Sequence, residues 1–276
     1  MYGLSKIYKA MRYFISLLLA VALLSSCALT PRLVILHVND THSHFEPDRS
    51  GPMAGRGGVL ERAAFVDSVR NACGEDKVLL VHGGDFSQGS SYFTMFEGLV
   101  ETDMMNALRY DCSVIGNHEF DNNIEALTER AKNMRTPLVC ANLDFSQFEL
   151  GEYVTPYRIV EKGGMKIGII GLVPDLAALV SKTVSSRIPQ IGYVEAVNKY
   201  TAILRDQCDM LILLSHAGIA ADTKYVPMTH GLDLVIGAHS HTNMKEMQPL
   251  VDADGKTVPM ITDWCFGYNV GVIKVY

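Results

Sequence analysis

Gly116-Asn117-His118-Glu119-Phe120-Asp121 follows the apolar run Cys112 to Ile115 and precedes a segment with helical spacing. A carboxamide, an imidazole and two carboxylates fall within positions 117–121, introduced by a glycine. In open α/β sheets, a strand that delivers such a cluster into a loop is a common way to build a site. Read alone, the cluster equally suits the solvated start of a helix. The decision rests on whether other strand ends carry loops of the same kind.

They do. Leu33 to Val38 is a short apolar run rich in branched residues, which reads as a buried strand ending in Asn39-Asp40-Thr41-His42. Val78 to Val81 runs into His82-Gly83-Gly84-Asp85 in the same way. Met210 to Leu214 ends in Ser215-His216, and Leu232 to Ile236 ends in Gly237-Ala238-His239-Ser240-His241. Between these lie helical patterns over Val59 to Asn71, Phe93 to Leu108, Asn122 to Met134 and Val194 to Gln207. Further strands are expected over Pro137 to Cys140, Tyr153 to Val160, Met165 to Leu172, Val258 to Thr262 and Val270 to Val275. Strands alternating with helices, with added antiparallel pieces, predict an α/β class of helix-covered sheets.

The loop residues are metal-ligand types: Asp40, His42, Asp85, Asn117, His216, His239 and His241. Asp40/His42 and His239/His241 are spaced i, i+2, so an extended backbone would turn both members of a pair to one side. Seven such donors are too many for one tetrahedral zinc. They suit two ions sharing a carboxylate, the arrangement of hydrolytic centres with ions about 3.5–4 Å apart. Each loop has a plainer reading: a turn aspartate after a strand for Asp40, a structural histidine for His216, a glycine turn for Gly83-Gly84-Asp85. Five strand-like runs ending in these residue types favour the metal reading together.

At this point the residues resemble a known family. Asp40-Thr41-His42, Gly84-Asp85, Gly116-Asn117-His118-Glu119, Ser215-His216 and Gly237 to His241 look like the five ordered motifs of the calcineurin-like metallophosphoesterases. The longer strings Leu36 to Ser43, Gly83 to Ser90 and Gly116 to Asp121 resemble the 5′-nucleotidase branch. The resemblance covers roughly residues 33–276 and implies a four-layer α/β/β/α sandwich with two central sheets. It implies one metal held by Asp40, His42, Asp85 and His241, and another held by Asp85, Asn117, His216 and His239, with Asp85 bridging. His118 and Asp121 match the family's catalytic pair, and Asn117 and His118 would also meet the substrate. A hydroxide bridging the two ions would attack phosphorus in line. The metals and His118 would stabilise charge on the phosphoryl oxygens, and Asp121 would orient His118. Mixed imidazole, carboxylate and amide ligation admits Zn, Mn, Fe or Co. The remaining histidines read differently: His37 and His82 as core residues or supports behind the ligands, His44 as a support for the Asp40/His42 loop, His230 as surface. Glu119 is expected to tune its loop rather than bind metal. Neither a P-loop signature nor a Gly-x-Ser-x-Gly elbow is apparent.

The N-terminus reads as a leader. Lys6, Lys9 and Arg12 make a basic region before the apolar run Tyr13 to Leu24. That run is shorter than the roughly 20 residues a membrane-spanning helix needs. Leu24-Ser25-Ser26-Cys27 then resembles a bacterial lipobox, which implies cleavage before Cys27 and lipid on its sulfur. An ordinary secretory signal with a chance cysteine is the alternative. The expected division is a signal over 1–26, a short anchor linker over 27–32 and one catalytic domain over 33–276. The expected location is the cell envelope, on the periplasmic side.

The 276 residues carry a formal net charge of −6, and removing the leader would remove basic residues only. An acidic chain argues against a nucleic-acid surface, which needs a basic face. Five cysteines follow Cys27, with none of the short spacings of a zinc or redox motif. Members of the 5′-nucleotidase branch usually continue into a C-terminal domain that stacks the base and grips the substrate, and no such domain is read before Tyr276. The expected substrate is therefore a small phosphate monoester or nucleotide of open identity. Three functions remain: an active two-metal phosphoesterase; a catalytic subunit whose specificity domain is a separate polypeptide; and a non-catalytic metal-binding envelope lipoprotein.

Overall fold

Burial of the central strands on both faces decides the layering. In the computed structural model, which describes residues 30–276, five strands run parallel in one sheet: β1 (Leu33–Val38), β2 (Val78–His82), β3 (Cys112–Val114), β4 (Leu138–Val139) and β5 (Val154–Thr155). The expected leader and Cys27 lie outside the described residues. In the second sheet β7 (Met165–Leu172), β8 (Met210–Ser215), β9 (Leu234–Gly237) and β11 (Thr257–Ile261) are parallel. Its edges are antiparallel: β6 (Tyr157–Lys162) on β7 and β10 (Gln248–Val251) on β11. The last strand, β12 (Gly271–Val275), returns to the first sheet, antiparallel to β1.

The two sheets face each other through one set of side chains per strand. Leu33 and Ile35 of β1, Leu79 and Val81 of β2 and Val114 of β3 meet Ile167 and Ile169 of β7, Ile212 and Leu214 of β8 and Ile236 of β9. The intervening residues point outward. Val34, Leu36 and Leu80 are covered by α1 (Val59–Cys73), α3 (Leu99–Leu108) and α4 (Asn123–Asn133) through Val66, Met105 and Leu127. On the other side Ile170, Leu172, Leu211 and Leu213 lie under α7 (Tyr193–Leu204) through Ala196, Val197 and Leu204. The result is the four-layer α/β/β/α arrangement that the resemblance implies. Each fully buried aliphatic side chain contributes about 1.5–3 kcal/mol against exposure. Gly171 of β7 lies where a Cβ would meet the Val139 carbonyl oxygen at 2.5 Å, so the close approach of the sheets there requires glycine.

Several boundaries differ from the sequence expectation. The single strand expected over Tyr153 to Val160 is two: β5 belongs to the first sheet and β6 to the second. The chain changes sheet at Pro156, which has no N–H to continue a ladder. The helix expected over Phe93 to Leu108 is broken into α2 (Ser91–Phe96) and α3. Glu97 (φ 52°) and Gly98 (φ 90°) are left-handed at the break, and a Cβ on Gly98 would lie 2.4 Å from Arg130 Cδ. β10 was not anticipated, because a short edge strand containing Pro249 and exposing all but Leu250 shows no buried alternation. Three short helices were also missed: α5 (Leu176–Leu179), α6 (Lys182–Ser185) and α8 (Ile219–Tyr225). All five cysteines among the described residues are free thiols.

Candidate metal centre

β1, β2, β3, β8 and β9 end at one edge of the sandwich, and their loops meet there. The i, i+2 pairs converge, but not by the expected route. Asp40 (φ 51°), His42 (φ 45°), Asp85 (φ 53°), His239 (φ 69°) and His241 (φ 48°) all have left-handed backbone rather than extended backbone. Non-glycine residues in such regions cost on the order of 1–3 kcal/mol each and persist only where surroundings over-determine them. Hydrogen bonds between loops do so here. Asp40 N donates to Gly84 O, His42 N to Asp85 O and Ser43 N to Phe86 O, each at 3.0 Å. His239 N donates to the Asp40 carboxylate at 2.9 Å, which ties the β9 loop of the second sheet to the β1 loop of the first.

The side chains form overlapping groups. Ligand atoms of Asp40, His42 and His241 lie within 4.8 Å of one another, as do those of Asp85, His216 and His239. A third group joins His42, Asp85 and His118. His42 Nε2 and His241 Nε2 are 2.9 Å apart. His216 Nε2 lies 2.9 Å from Asp85 Oδ2, and His42 Nε2 lies 4.0 Å from the same oxygen. Asp85 therefore sits between the two groups. Asn117 is buried, and its Oδ1 has no hydrogen-bond partner; neither has the fully buried His216 Nε2. Buried polar atoms are normally satisfied. Buried polar atoms without good partners beside carboxylates are what divalent cations would satisfy, and the set of imidazoles, carboxylates and an amide fits them. Six of the seven expected ligands, Asp40, His42, Asp85, His216, His239 and His241, fall within these groups, and Asn117 precedes His118, whose N donates to Asp85 Oδ1.

The electrostatics agree. Burial would lower His216, but Asp85 and Asp40 hold it up, to about 10. Burial would raise Asp85, and the surrounding His216, His42 and His118 hold it below the usual carboxylate range. His42 and His239 are pushed down, chiefly by burial. A field that charges a buried imidazole also attracts a dication, which requires these imidazoles neutral.

His118 and Asp121 stand at the rim of this group. Their Nδ1 and Oδ2 atoms are 2.9 Å apart, and that bond raises the His118 pKa. Both side chains are about one-third exposed, so the ring is open to the cavity of about 480 Å³ that His42, His239 and His241 also line. His118 N donates to Asp85 Oδ1 at 2.9 Å.

Glu119 serves the loop, as the sequence suggested. Its carboxylate accepts from Gly116 N at 2.7 Å, Asp85 N at 2.9 Å and Ser87 N at 3.0 Å, pinning two ligand loops together. Burial and the Asp85 charge raise it to about 7 against those bonds. His82 accepts from Gly84 N at 3.1 Å and reaches Thr41 Oγ1 at 3.2 Å, behind the ligands. His44 packs beside Phe266 and Tyr268 and lies 3.2 Å from Asp48. His230 pairs with Asp254 on the surface and His37 is buried in β1.

Two contributors were missed. Asn39 donates to Asp40 Oδ2 at 2.6 Å and to Trp264 O, fixing the carboxylate, although it stands inside a quoted motif. Phe266 places its ring within 6 Å of His42, His44 and His241, and its N donates to Asp40 O. Nothing around Phe266 signals this, because the contact comes from a segment more than 200 residues along the chain.

The family described as Calcineurin-like phosphoesterase matches residues 33–243. The chain is 30% identical to a snake venom 5′-nucleotidase of Naja atra, covering 88% of this chain and 50% of the relative. It is 29% identical to a 5′-nucleotidase of Homo sapiens, covering 97% and 50%. Among solved structures, a 5′-nucleotidase precursor from Thermus thermophilus superposes with a TM-score of 0.80 at 30% identity, covering 87% of this chain and 50% of that one. The NAD nucleotidase of Haemophilus influenzae gives a TM-score of 0.77 at 27% identity, covering 87% and 46%. The chain spans about half the length of the curated relatives it matches.

Proposed function

The chain belongs to the calcineurin-like phosphoesterase family, and on that premise we propose that it is a two-metal hydrolase of phosphate monoesters, with nucleotides as its substrates. It is a metal-dependent phosphoesterase by family; the two-ion mechanism and the nucleotide are the proposal. The observation that carries the two-ion reading is the pair of ligand groups meeting at Asp85, with Asn117 Oδ1 and His216 Nε2 left without partners. One ion would take Asp40, His42, Asp85 and His241, the other Asp85, Asn117, His216 and His239. Two divalent cations bound there supply Lewis acidity and acidified water for attack on phosphorus.

The protein's own part is positioning and charge. His118 keeps Nδ1 on Asp121, which leaves Nε2 free to donate to a phosphoryl oxygen. Held protonated by Asp121, the imidazolium stabilises charge as it grows on that oxygen. The Asn117 amide, next to it in sequence and buried with its Oδ1 unpartnered, would serve ion and substrate. Asp40 is held by Asn39 and by His239 N, so it does not swing out when charge shifts. The nucleotide assignment is supported by the relatives, which are named for nucleotides. Metal identity follows from availability, among Zn, Mn, Fe and Co.

The test is a metal-reconstituted panel of nucleotides, cyclic nucleotides, nucleotide sugars and simple phosphoesters. Turnover is expected to be lost with chelator, restored by metal, and reduced about 10²–10³-fold by His118→Ala. Turnover that survives both changes would sink the proposal. Export and lipidation at Cys27 belong to the proposal through the leader's basic, apolar and small-residue order. An acyl label that Cys27→Ser fails to remove would refute the lipid anchor.

A further inference from the structure

Arg130, in the last turns of α4, is buried although it carries a charge. Its Nη2 donates to Glu119 O, in the turn between His118 and Asp121. Its Nη1 donates to Glu97 O at 3.2 Å, where α2 ends. Side chains on a helix lean toward its N-terminus, so α4 reaches back through Arg130 to the turn from which it starts. Gly98 leaves the path open, because a Cβ there would lie 2.8 Å from Arg130 Nη1.

The two carbonyls belong to two walls of the metal cavity. His118 lines it from the β3 loop, and Gln88, Gly89 and Ser90 line it from the approach to α2. Each wall is lightly held by its own bonds. Within the His118 turn, Phe120 N donates to Asn117 O and Asp121 N to His118 O, both at a long 3.2 Å. α2 has six residues and buries none of them. Left-handed residues stand at both its ends, Gln88 and Gly89 before it, Glu97 and Gly98 after it. Segments with few buried contacts open at low cost. Arg130 closes the gap between these walls: its guanidinium is a rigid planar fork that fixes two acceptors at once, and its Cζ lies 5.9 Å from the ring centroid of Phe93 in α2. Burial pushes the Arg130 pKa down, and the charges of Glu119, Glu101, Asp121 and Glu97 oppose that. Glu101 of α3 is fully buried, and neither of its carboxylate oxygens has a hydrogen-bond partner. Apolar residues of similar volume in place of two such buried charges are often as stable or more so. Stability alone therefore does not account for Arg130, whereas the two carbonyls it joins do.

We propose that Arg130 is a positioning residue, which holds the His118–Asp121 turn and the α2 wall in one fixed arrangement through the carbonyls of Glu119 and Glu97. It does not line the metal cavity, and it acts through His118. The role rests on the reading of His118 as the group that stabilises the phosphoryl oxygens. A displacement of about 1 Å in such a group can cost on the order of 10²-fold in rate. Charge on those oxygens grows in the transition state, so the loss falls on kcat rather than on KM.

Arg130→Met alone would strand the Glu101 charge, so the test removes both with the double variant Arg130→Met, Glu101→Leu. Two measurements are made on the metal-loaded protein: hydrolysis of p-nitrophenyl phosphate, with kcat referred to bound metal so that an unfolded fraction does not count, and amide hydrogen exchange by peptide. The double variant lowers kcat about tenfold with KM little changed. Exchange quickens in residues 88–98 and 116–121 and stays at the wild-type rate in the sheet strands, which a general loss of stability would not produce. Arg130→Lys, a point donor in place of a fork, gives the same pattern in smaller degree and carries the test if the double variant does not fold. Wild-type kcat in these variants, a rise in KM instead, or exchange that is unchanged or quickened throughout the chain overturns the proposal. A wild type that hydrolyses nothing, or a His118→Ala variant that keeps full turnover, overturns the reading of His118 instead. Exchange then decides the hold of Arg130 by itself: quickening confined to the two segments supports it, and any other pattern refutes it.

Discussion

Asp121 sets the charge state of His118. The bond between them is local, at i, i+3, and it holds the imidazolium to higher pH than a free histidine would keep it. If the protonated ring is the one that stabilises the phosphoryl oxygens, activity is present below the His118 pKa and falls as pH rises through it. Asp121→Asn removes the largest cause of the raised pKa, so the alkaline limb of kcat/KM moves to lower pH while the acid limb stays. An unmoved alkaline limb would assign it to another group. The pair could be read from the sequence because one turn of chain contains both residues. Asn39 could not, because its partners Asp40 and Trp264 define its role and one of them is 225 positions away.

The elements at the site are loops that brace one another. Glu119 joins the β3 loop to the β2 loop through three backbone N–H groups. Arg130 of α4 reaches Glu119 O and also, at 3.2 Å, Glu97 O at the break between α2 and α3. Glu119→Gln would turn one accepting oxygen into an amide donor facing N–H groups. Metal affinity is expected to fall about 10–100-fold, as for other partners behind ligands, with far-UV circular dichroism unchanged; calorimetric titration of metal into the two proteins measures it. The central strands were legible as short continuous apolar runs and the long helices from period-3.6 spacing. The break at Gly98 and the change of sheet at Pro156 were not. In each a local residue permits the turn, but a partner from elsewhere, Arg130 or the second sheet, makes it necessary.

On the scale of the whole molecule, the candidate ligands come from both sheets. Asp40, Asp85 and Asn117 follow strands of the first sheet, and His216, His239 and His241 follow strands of the second. Ions bound between them would clamp the two halves of the sandwich across the Leu33–Ile212 layer. Metal removal is therefore expected to lower the stability of the whole fold and not of one loop. At free metal a hundredfold above Kd the linkage is about 2.7 kcal/mol per ion, or roughly 5–10 °C in Tm per ion for a chain of this size. Scanning calorimetry with and without chelator reads this directly. A Tm independent of metal would mean that the ligands do not bind it across the sheets.

The residue pattern by itself determined an α/β class of helix-covered sheets and the chemical inventory, and the four layers followed from the family resemblance. Apolar runs of strand length must be buried, their alternation assigns two faces, and the residues that end them are ligand types whichever way the loops turn. The tertiary structure decided where those donors point. Convergence of the i, i+2 pairs depends on left-handed backbone at Asp40, His42, Asp85, His239 and His241, which costs energy locally. Hydrogen bonds between loops of different strands offset that cost, and no local pattern encodes partners that lie up to about 200 residues apart.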